Sequence, residues 1–263
     1  MGEPERASRG STGRSEHELS ASDRVGVPAA TADTGHSGPM RTVTLNSACL
    51  VLPDVPGPYP GVVVVHEAFG LNDNIRGICQ RFAEEGYAAL GVDLFEGRSH
   101  ALCMARMFAG AMAGNLDYYG VPALKAALGQ LASHSEIDAA RIGAAGFCLG
   151  GSIVLTWACT DNRLTAIAAF YGAAPKPRKA IRRMCPVVGS WPDKDITTKA
   201  AGVLETKLTA AGIPHDLKVY PRTKHSFFND TLPSYDTAAA ADSWQRVLAF
   251  FAEHVQQGAP RSA

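Results

Sequence analysis

The residues with the clearest chemical potential form the segment Gly146–Gly150, with the sequence GFCLG. Glycine on both sides of a central nucleophile is typical of a sharp turn from a strand into a helix, where the central residue takes strained backbone angles. The N-terminus of the following helix favours an anion, so we expect the Cys148 thiol to ionise more easily than a free cysteine. Cys148 is then a candidate nucleophile. The alternative interpretation is a small buried cysteine in another glycine-rich turn.

A nucleophilic thiol needs a base and an acid that orients the base. His225 follows the last predicted strand, as the base should, whereas His215 begins that strand and would lie at the wrong end of the sheet. Asp195 and Asp193 both follow the preceding strand, and Asp195 is favoured because it lies just before a helical segment. Asp93, at the end of an earlier strand, is interpreted as structural.

A further polar cluster, His66-Glu67-Ala68, directly follows the apolar run 61–65. The backbone N–H groups of Ala68 and Leu149 are the expected donors to the oxyanion that forms when a thiol attacks a carbonyl carbon. Glu67 is either a carboxylate close to that thiol or a loop residue that faces solvent. His66 is interpreted as a histidine with satisfied hydrogen bonds at a strand end.

The elements that must position these side chains alternate along the chain. Apolar runs typical of buried strands lie at 61–65, 88–94, 142–147, 164–171, 186–189 and 216–220. Between most of these runs, apolar residues recur with the spacing of a helix, and Asn74 is the expected N-cap of the first helix. Residues 41–52 predict one or two edge strands. Strands joined by helices predict an α/β fold, with a mostly parallel central sheet and helices on both faces.

The composition separates a tail from one domain and excludes some classes of protein. Residues 1–39 have no aromatic residue and predict a disordered tail, and residues 40–263 predict a single domain. The 25 basic and 25 acidic residues balance, which argues against a nucleic-acid-binding protein, because phosphate binding needs surplus cations. The apolar runs are shorter than the roughly 20 residues that span a membrane.

The N-terminus and the cysteines indicate in which cellular compartment the protein is expected. No hydrophobic segment follows Met1, so no secretory signal is expected. The six cysteines lie far apart, without a C-x-x-C pair, which argues against a metal site and a disulfide framework. A cytoplasmic protein with reduced thiols is therefore expected.

Together these segments resemble the dienelactone hydrolase family of α/β-hydrolases. The resemblance runs from about Pro60 to the C-terminus and rests on VVVVHEAFGLN, GVDLF, GFCLGG, FYG, GSWPDKD and KHSFFND, in that order. It implies an α/β-hydrolase fold, no metal or organic cofactor, and a cysteine-dependent hydrolase of carboxylic esters or lactones, of the carboxymethylenebutenolidase type. The implied partner is a small-molecule substrate, and the implied assembly is a monomer or a small homo-oligomer.

The resemblance also implies a role for each matching residue. Cys148 is the nucleophile, Asp195 and His225 complete its triad, and Glu67 pairs with the resting thiol until substrate displaces it. Leu149 and Ala68 form the oxyanion hole.

The substrate-binding residues are where this chain departs from the family. The implied candidates are Arg98, Tyr171 and Phe227. The arginine that the family places four residues after the catalytic histidine is Asn229 here, so an anionic lactone does not follow as the substrate. The alternative functions are a non-catalytic α/β-hydrolase scaffold that binds a small ligand, and a thiol redox protein.

Overall fold

The structure is a computed structural model that describes residues 40–45 and 48–257; the tail predicted for residues 1–39 lies outside them. Its strands are β1 (Arg41–Leu45), β2 (Ala48–Leu52), β3 (Tyr59–Val65), β4 (Ala88–Val92), β5 (Ile137–Phe147), β6 (Ile167–Phe170), β7 (Val187–Pro192) and β8 (His215–Tyr220). Across the described residues these strands form one sheet in the order β1-β2-β4-β3-β5-β6-β7-β8.

The helices follow the alternation that the sequence predicts. They are α1 (Asp73–Glu84), α2 (His100–Met112), α3 (Val121–Ala132), α4 (Leu149–Trp157), α5 (Lys199–Ala211) and α6 (Thr237–Phe251). A 3₁₀ helix covers Arg178–Arg183, and a π-helical turn extends α6 over Ala252–Gln256.

The sheet is mostly parallel, as predicted. Strands β3 to β8 pair in parallel, whereas β1 and β2 form an antiparallel edge beside β4. Every residue of β3 and β4 is buried, so both faces of the sheet are covered at its centre. This burial explains why these strands read as continuous apolar runs rather than as alternating ones.

One predicted helix start is wrong by two residues. The N-cap of α1 is Asn72, whose side-chain oxygen accepts a 3.1 Å hydrogen bond from the Ile75 N–H. Asn74 lies inside the helix and donates instead to the Asp230 carboxylate. Asn72 and Asn74 are both capping residue types, and only the backbone angles at the turn decide between them.

The topology brings the candidate residues together. Because the carboxyl ends of parallel strands meet at one edge of a sheet, the loops that follow β3, β5, β6, β7 and β8 share that edge. These loops carry, in chain order, Glu67, Cys148, Tyr171, Asp195 and His225.

Candidate active site

Cys148 occupies the sharp turn between β5 and α4, with φ of +54°. Glycine is required on both sides of it. A Cβ atom on Gly146 would lie 2.3 Å from the carbonyl oxygen of Gly150, and one on Gly150 would lie 2.3 Å from that of Val65. The turn therefore has the strain and the steric reason for glycine that the sequence predicts.

His225 is oriented by Asp195. The Asp195 Oδ2 atom and the His225 Nδ1 atom form a hydrogen bond, and Oδ1 of the same carboxylate accepts a 2.8 Å bond from the Thr197 N–H. The carboxylate is buried, with 3% of the side chain exposed, while 39% of the His225 side chain is exposed. With Nδ1 held by the acid, the other ring nitrogen is left to exchange protons with a substrate.

The competing residues have other partners. Asp193 is exposed, and its carboxylate accepts a 2.7 Å bond from the Arg222 N–H in a turn. The Nδ1 atom of His215 is 2.7 Å from the carbonyl oxygen of Ile213, at the start of β8. Asp195 is thus the aspartate of this pair that contacts His225.

Glu67 is buried rather than facing solvent. Its Oε1 atom accepts a 2.8 Å hydrogen bond from the Ser226 hydroxyl, and its Oε2 atom accepts a 2.6 Å bond from the Asn229 amide. Both donors are buried and uncharged. We refer to Ser226 and Asn229 together as the neutral clamp.

Sequence reasoning gave no role to Ser226 and treated Asn229 only as a missing arginine. The sequence does carry a sign that they are buried, since both are small polar residues within the aromatic-rich run that follows His225. A buried polar side chain needs a hydrogen-bond partner, and Glu67 supplies it here.

The Cys148 thiol is harder to ionise than an ordinary cysteine, so the expected ease of ionisation is wrong in its net direction. Burial raises the pKa of the thiol to about 11, and the nearby Glu67 carboxylate and, more weakly, Asp195 add to the rise. The backbone N–H groups of Leu149 and Ala68 interact with the sulfur and lower the pKa, but by less. The helix terminus does act on the sulfur, but burial and the carboxylates outweigh it.

Tyr171 packs against the His225 ring. Its backbone has φ of +41°, and its ring centroid lies 4.9 Å from that of His225. The phenol is fully buried, and its hydroxyl has no hydrogen-bond partner among the described residues. Burial, followed by the charge of Glu67, raises the pKa of this phenol well above its ordinary value.

The other two substrate-binding candidates lie at different depths. Phe227 is fully buried and packs between Tyr171 and Tyr220, so its ring supports the site from behind and is not open to a substrate in this structure. The Arg98 guanidinium is about half exposed and contacts the Glu96 carboxylate at 2.8 Å and the Tyr119 hydroxyl at 3.0 Å.

A cavity of about 590 Å3 opens beside the His225–Asp195 pair. Lys194 and Ile196 complete its lining, and Ile196 is 96% exposed. Phe69, which directly follows Ala68, is also exposed. A substrate that reaches His225 from this side therefore meets the apolar Ile196 side chain and the charged Lys194.

His66 and Asp93 have structural contacts. The Nε2 atom of the fully buried His66 accepts a 3.0 Å hydrogen bond from the Leu94 N–H, and burial lowers the pKa of its ring. Asp93 accepts a 2.9 Å bond from the Phe95 N–H. The interpretation of both residues as structural is confirmed.

A model of the dienelactone hydrolase family matches residues 47–255. This chain belongs to that family. In the part of the chain that the structure describes, no helix has both the length and the apolar character needed to cross a bilayer.

Individual relatives support the same family assignment. A protein of Escherichia coli (strain K12), provisionally named a carboxymethylenebutenolidase, is 32% identical over 212 residues that cover 75% of this chain and 78% of the relative. A crystal structure from Klebsiella pneumoniae, provisionally titled a dienelactone hydrolase, is 29% identical, with a TM-score of 0.70 over 81% of this chain and 98% of that chain. A dienelactone hydrolase-like promiscuous phosphotriesterase from metagenomic libraries is 26% identical, with a TM-score of 0.70 over 82% of this chain and 98% of that chain. The chain is accordingly a hydrolase with the α/β-hydrolase fold.

Proposed function

We propose that this hydrolase cleaves carboxylic esters or lactones with Cys148 as its nucleophile. The observation that carries the proposal is the hydrogen-bonded His225–Asp195 pair at the same sheet edge as a cysteine in a strained turn. A nucleophile, an oriented base and two backbone donors are the groups that acyl transfer requires.

The resting site keeps the thiol neutral. Because burial and Glu67 raise the pKa of Cys148 to about 11, little thiolate is present at neutral pH. A neutral thiol resists oxidation and stray alkylation. The sulfur also interacts with the N–H groups of Leu149 and Ala68, the donors that the substrate carbonyl oxygen needs. Acylation requires these donors for the carbonyl oxygen and the sulfur within reach of His225.

Acylation then proceeds from this position. The thiol proton passes to the free ring nitrogen of His225 as the sulfur bonds to the carbonyl carbon, and the negative charge on the carbonyl oxygen is stabilised by the Leu149 and Ala68 N–H groups. The carbon–oxygen bond to the alcohol breaks, and the alcohol leaves with the proton from His225. The product is a thioester on Cys148.

Deacylation reverses these roles. His225 takes a proton from water, the water oxygen bonds to the thioester carbon, and the carbon–sulfur bond breaks. The sulfur recovers a proton from His225, and the carboxylic acid departs. In a lactone the alcohol stays attached to the acyl chain, so the product is a hydroxy acid.

Replacing Cys148 tests the proposal. Cys148→Ala should lower kcat for a small activated ester by about 1000-fold or more while the thermal unfolding midpoint changes little. Cys185→Ala is the matched control, because Cys185 is another partly buried thiol, away from the turn, and this variant should keep wild-type kcat. Activity of Cys148→Ala within a few-fold of wild type would contradict the proposal, and binding without turnover in the wild type would instead favour a ligand-binding scaffold.

We also propose that the hydrolase acts on small molecules in a reducing compartment, the cytoplasm. All six cysteines lie in the described residues and are free thiols, and a thiol nucleophile must stay reduced to act. Detection of the protein by antibody in the cytoplasmic fraction of its own cells is the expected result, and its recovery only from outside the cytoplasm would contradict this location.

A further inference from the structure

We infer that the acyl part of the substrate carries no negative charge: the site takes neutral esters and lactones in preference to those that bear a carboxylate. This inference rests on the proposed function, since it names the substrate class of the same site. It follows from the charges and the hydrogen-bond donors of the site.

Two charged side chains act on the Cys148 thiol, and both are negative. They are the carboxylates of Glu67 and Asp195. Asp195 is paired with the His225 ring, but Glu67 is held only by the neutral clamp, which supplies no positive charge. A substrate carboxylate near the sulfur would face a buried charge of the same sign, where water screens it poorly.

The two donors of the neutral clamp are already engaged. The Ser226 hydroxyl and the Asn229 amide both donate to Glu67, and the Asn229 Oδ1 atom accepts bonds from the backbone and side chain of Thr231. A substrate carboxylate that binds the clamp would have to take these donors from Glu67, which would leave one buried carboxylate without partners. The Tyr171 hydroxyl has no partner among the described residues, but it is uncharged and supplies no positive charge.

The cations near the site do not offset this charge. Lys224, which directly precedes His225, is exposed. The Arg98 guanidinium is held by Glu96 and Tyr119. Lys194 borders the cavity but is exposed, so water and salt screen its charge. Ile196 is the apolar residue of the cavity lining, and Phe69, next to Ala68 in the chain, is exposed.

A matched pair of substrates tests the inference. The 4-nitrophenyl monoester of adipic acid carries a carboxylate, and its adipamate analogue carries a neutral amide of nearly the same size at the same position. We expect kcat/KM of the wild type for the amide to exceed that for the carboxylate by about tenfold or more, at low ionic strength. Equal values, or a higher value for the carboxylate, would overturn the inference.

Variants identify the source of the preference. The ratio of the two kcat/KM values should fall several-fold in Glu67→Gln, which removes the negative charge, and in Asn229→Arg, which adds a positive one. Glu253→Gln is the matched control, since it removes a carboxylate that is 71% exposed, and its ratio should equal that of the wild type. Ratios that stay at the wild-type value in both site variants would contradict an origin at Glu67.

The same assays separate the two proposals. Hydrolysis of the neutral ester that persists in Cys148→Ala would contradict the proposed function. Hydrolysis that needs Cys148 but shows no preference for the neutral ester would contradict only the substrate class.

Discussion

Replacing Glu67 with Gln should make the Cys148 thiol react faster with iodoacetamide at neutral pH. Gln has nearly the volume of Glu, and its amide can still accept from Asn229 while it donates to the Ser226 oxygen. The substitution therefore removes the charge and retains most of the packing. Without the negative charge beside the sulfur, the thiolate is less disfavoured and the pKa of Cys148 falls.

The structure sets an upper limit on the effect. The pKa of Cys148 lies at about 11, against an ordinary 9.0, so full recovery would raise the thiolate fraction about 100-fold at neutral pH. A less basic thiolate is a weaker nucleophile, with a Brønsted coefficient of about 0.4–0.5, which reduces the gain in rate to roughly tenfold. Burial, the larger cause of the rise, persists in the variant. We therefore expect an increase of about two- to fivefold.

The assay follows the peptide that contains Cys148 by mass spectrometry after timed alkylation. The alkylation rate of the wild type should still rise at about pH 10 without a plateau, because a thiol with a raised pKa gains thiolate until the pH passes that value. The alkylation rate of the variant should level off at a lower pH. The peptide that contains Cys185 provides an internal control, since burial raises the pKa of that thiol to about 12. Equal rates at Cys148 in the two proteins at every pH would refute the role of Glu67.

Two further predictions concern the triad acid and the turn. Asp195→Asn should lower kcat by about 10³- to 10⁴-fold at an unchanged unfolding midpoint, because an amide no longer orients the His225 ring as the carboxylate does. The control variant Asp193→Asn should keep kcat within about twofold of wild type. Similar losses of kcat in both variants would contradict the assignment of Asp195. Gly146→Ala should destabilise the protein by about 1–3 kcal/mol in urea unfolding, because its Cβ would collide with the backbone of Gly150. Gly202→Ala, in α5 where an added Cβ meets nothing within 4 Å, should stabilise it by about 0.5–1 kcal/mol, and the reverse order of the two would contradict the steric argument.

The fold and the positions of the candidate residues could be predicted because their causes are local. The turn at Cys148 follows from glycine sterics within five residues, and buried strands follow from continuous apolar runs such as 61–65. Once the strands are placed, parallel pairing brings the ends of β5, β7 and β8 to one edge. The choice of Asp195 over Asp193 also followed from local position, just before a helical segment.

The electrostatics of the site could not be predicted in the same way, because they depend on contacts between distant segments. The direction of the pKa shift at Cys148 is decided by burial and by Glu67, which comes from the loop after β3. The neutral clamp joins that loop to the loop after β8, and no local sequence pattern indicates that Ser226 and Asn229 bond to Glu67. The burial of Phe227 was missed for the same reason, since tertiary packing decides which aromatic side chains face the cavity.

The central claim is that Cys148 carries the acyl group during turnover, and a rapid quench measures this most directly. The wild type is used, because acylation and deacylation both need His225, and an acid quench within the first turnover traps the thioester before water cleaves it. After reaction with a 4-nitrophenyl ester, mass spectrometry should then find the acyl mass on the peptide that contains Cys148, in an amount that matches the released nitrophenolate. Stoichiometric release of nitrophenolate with no acyl group on Cys148, or with the acyl group on another residue, would contradict the account.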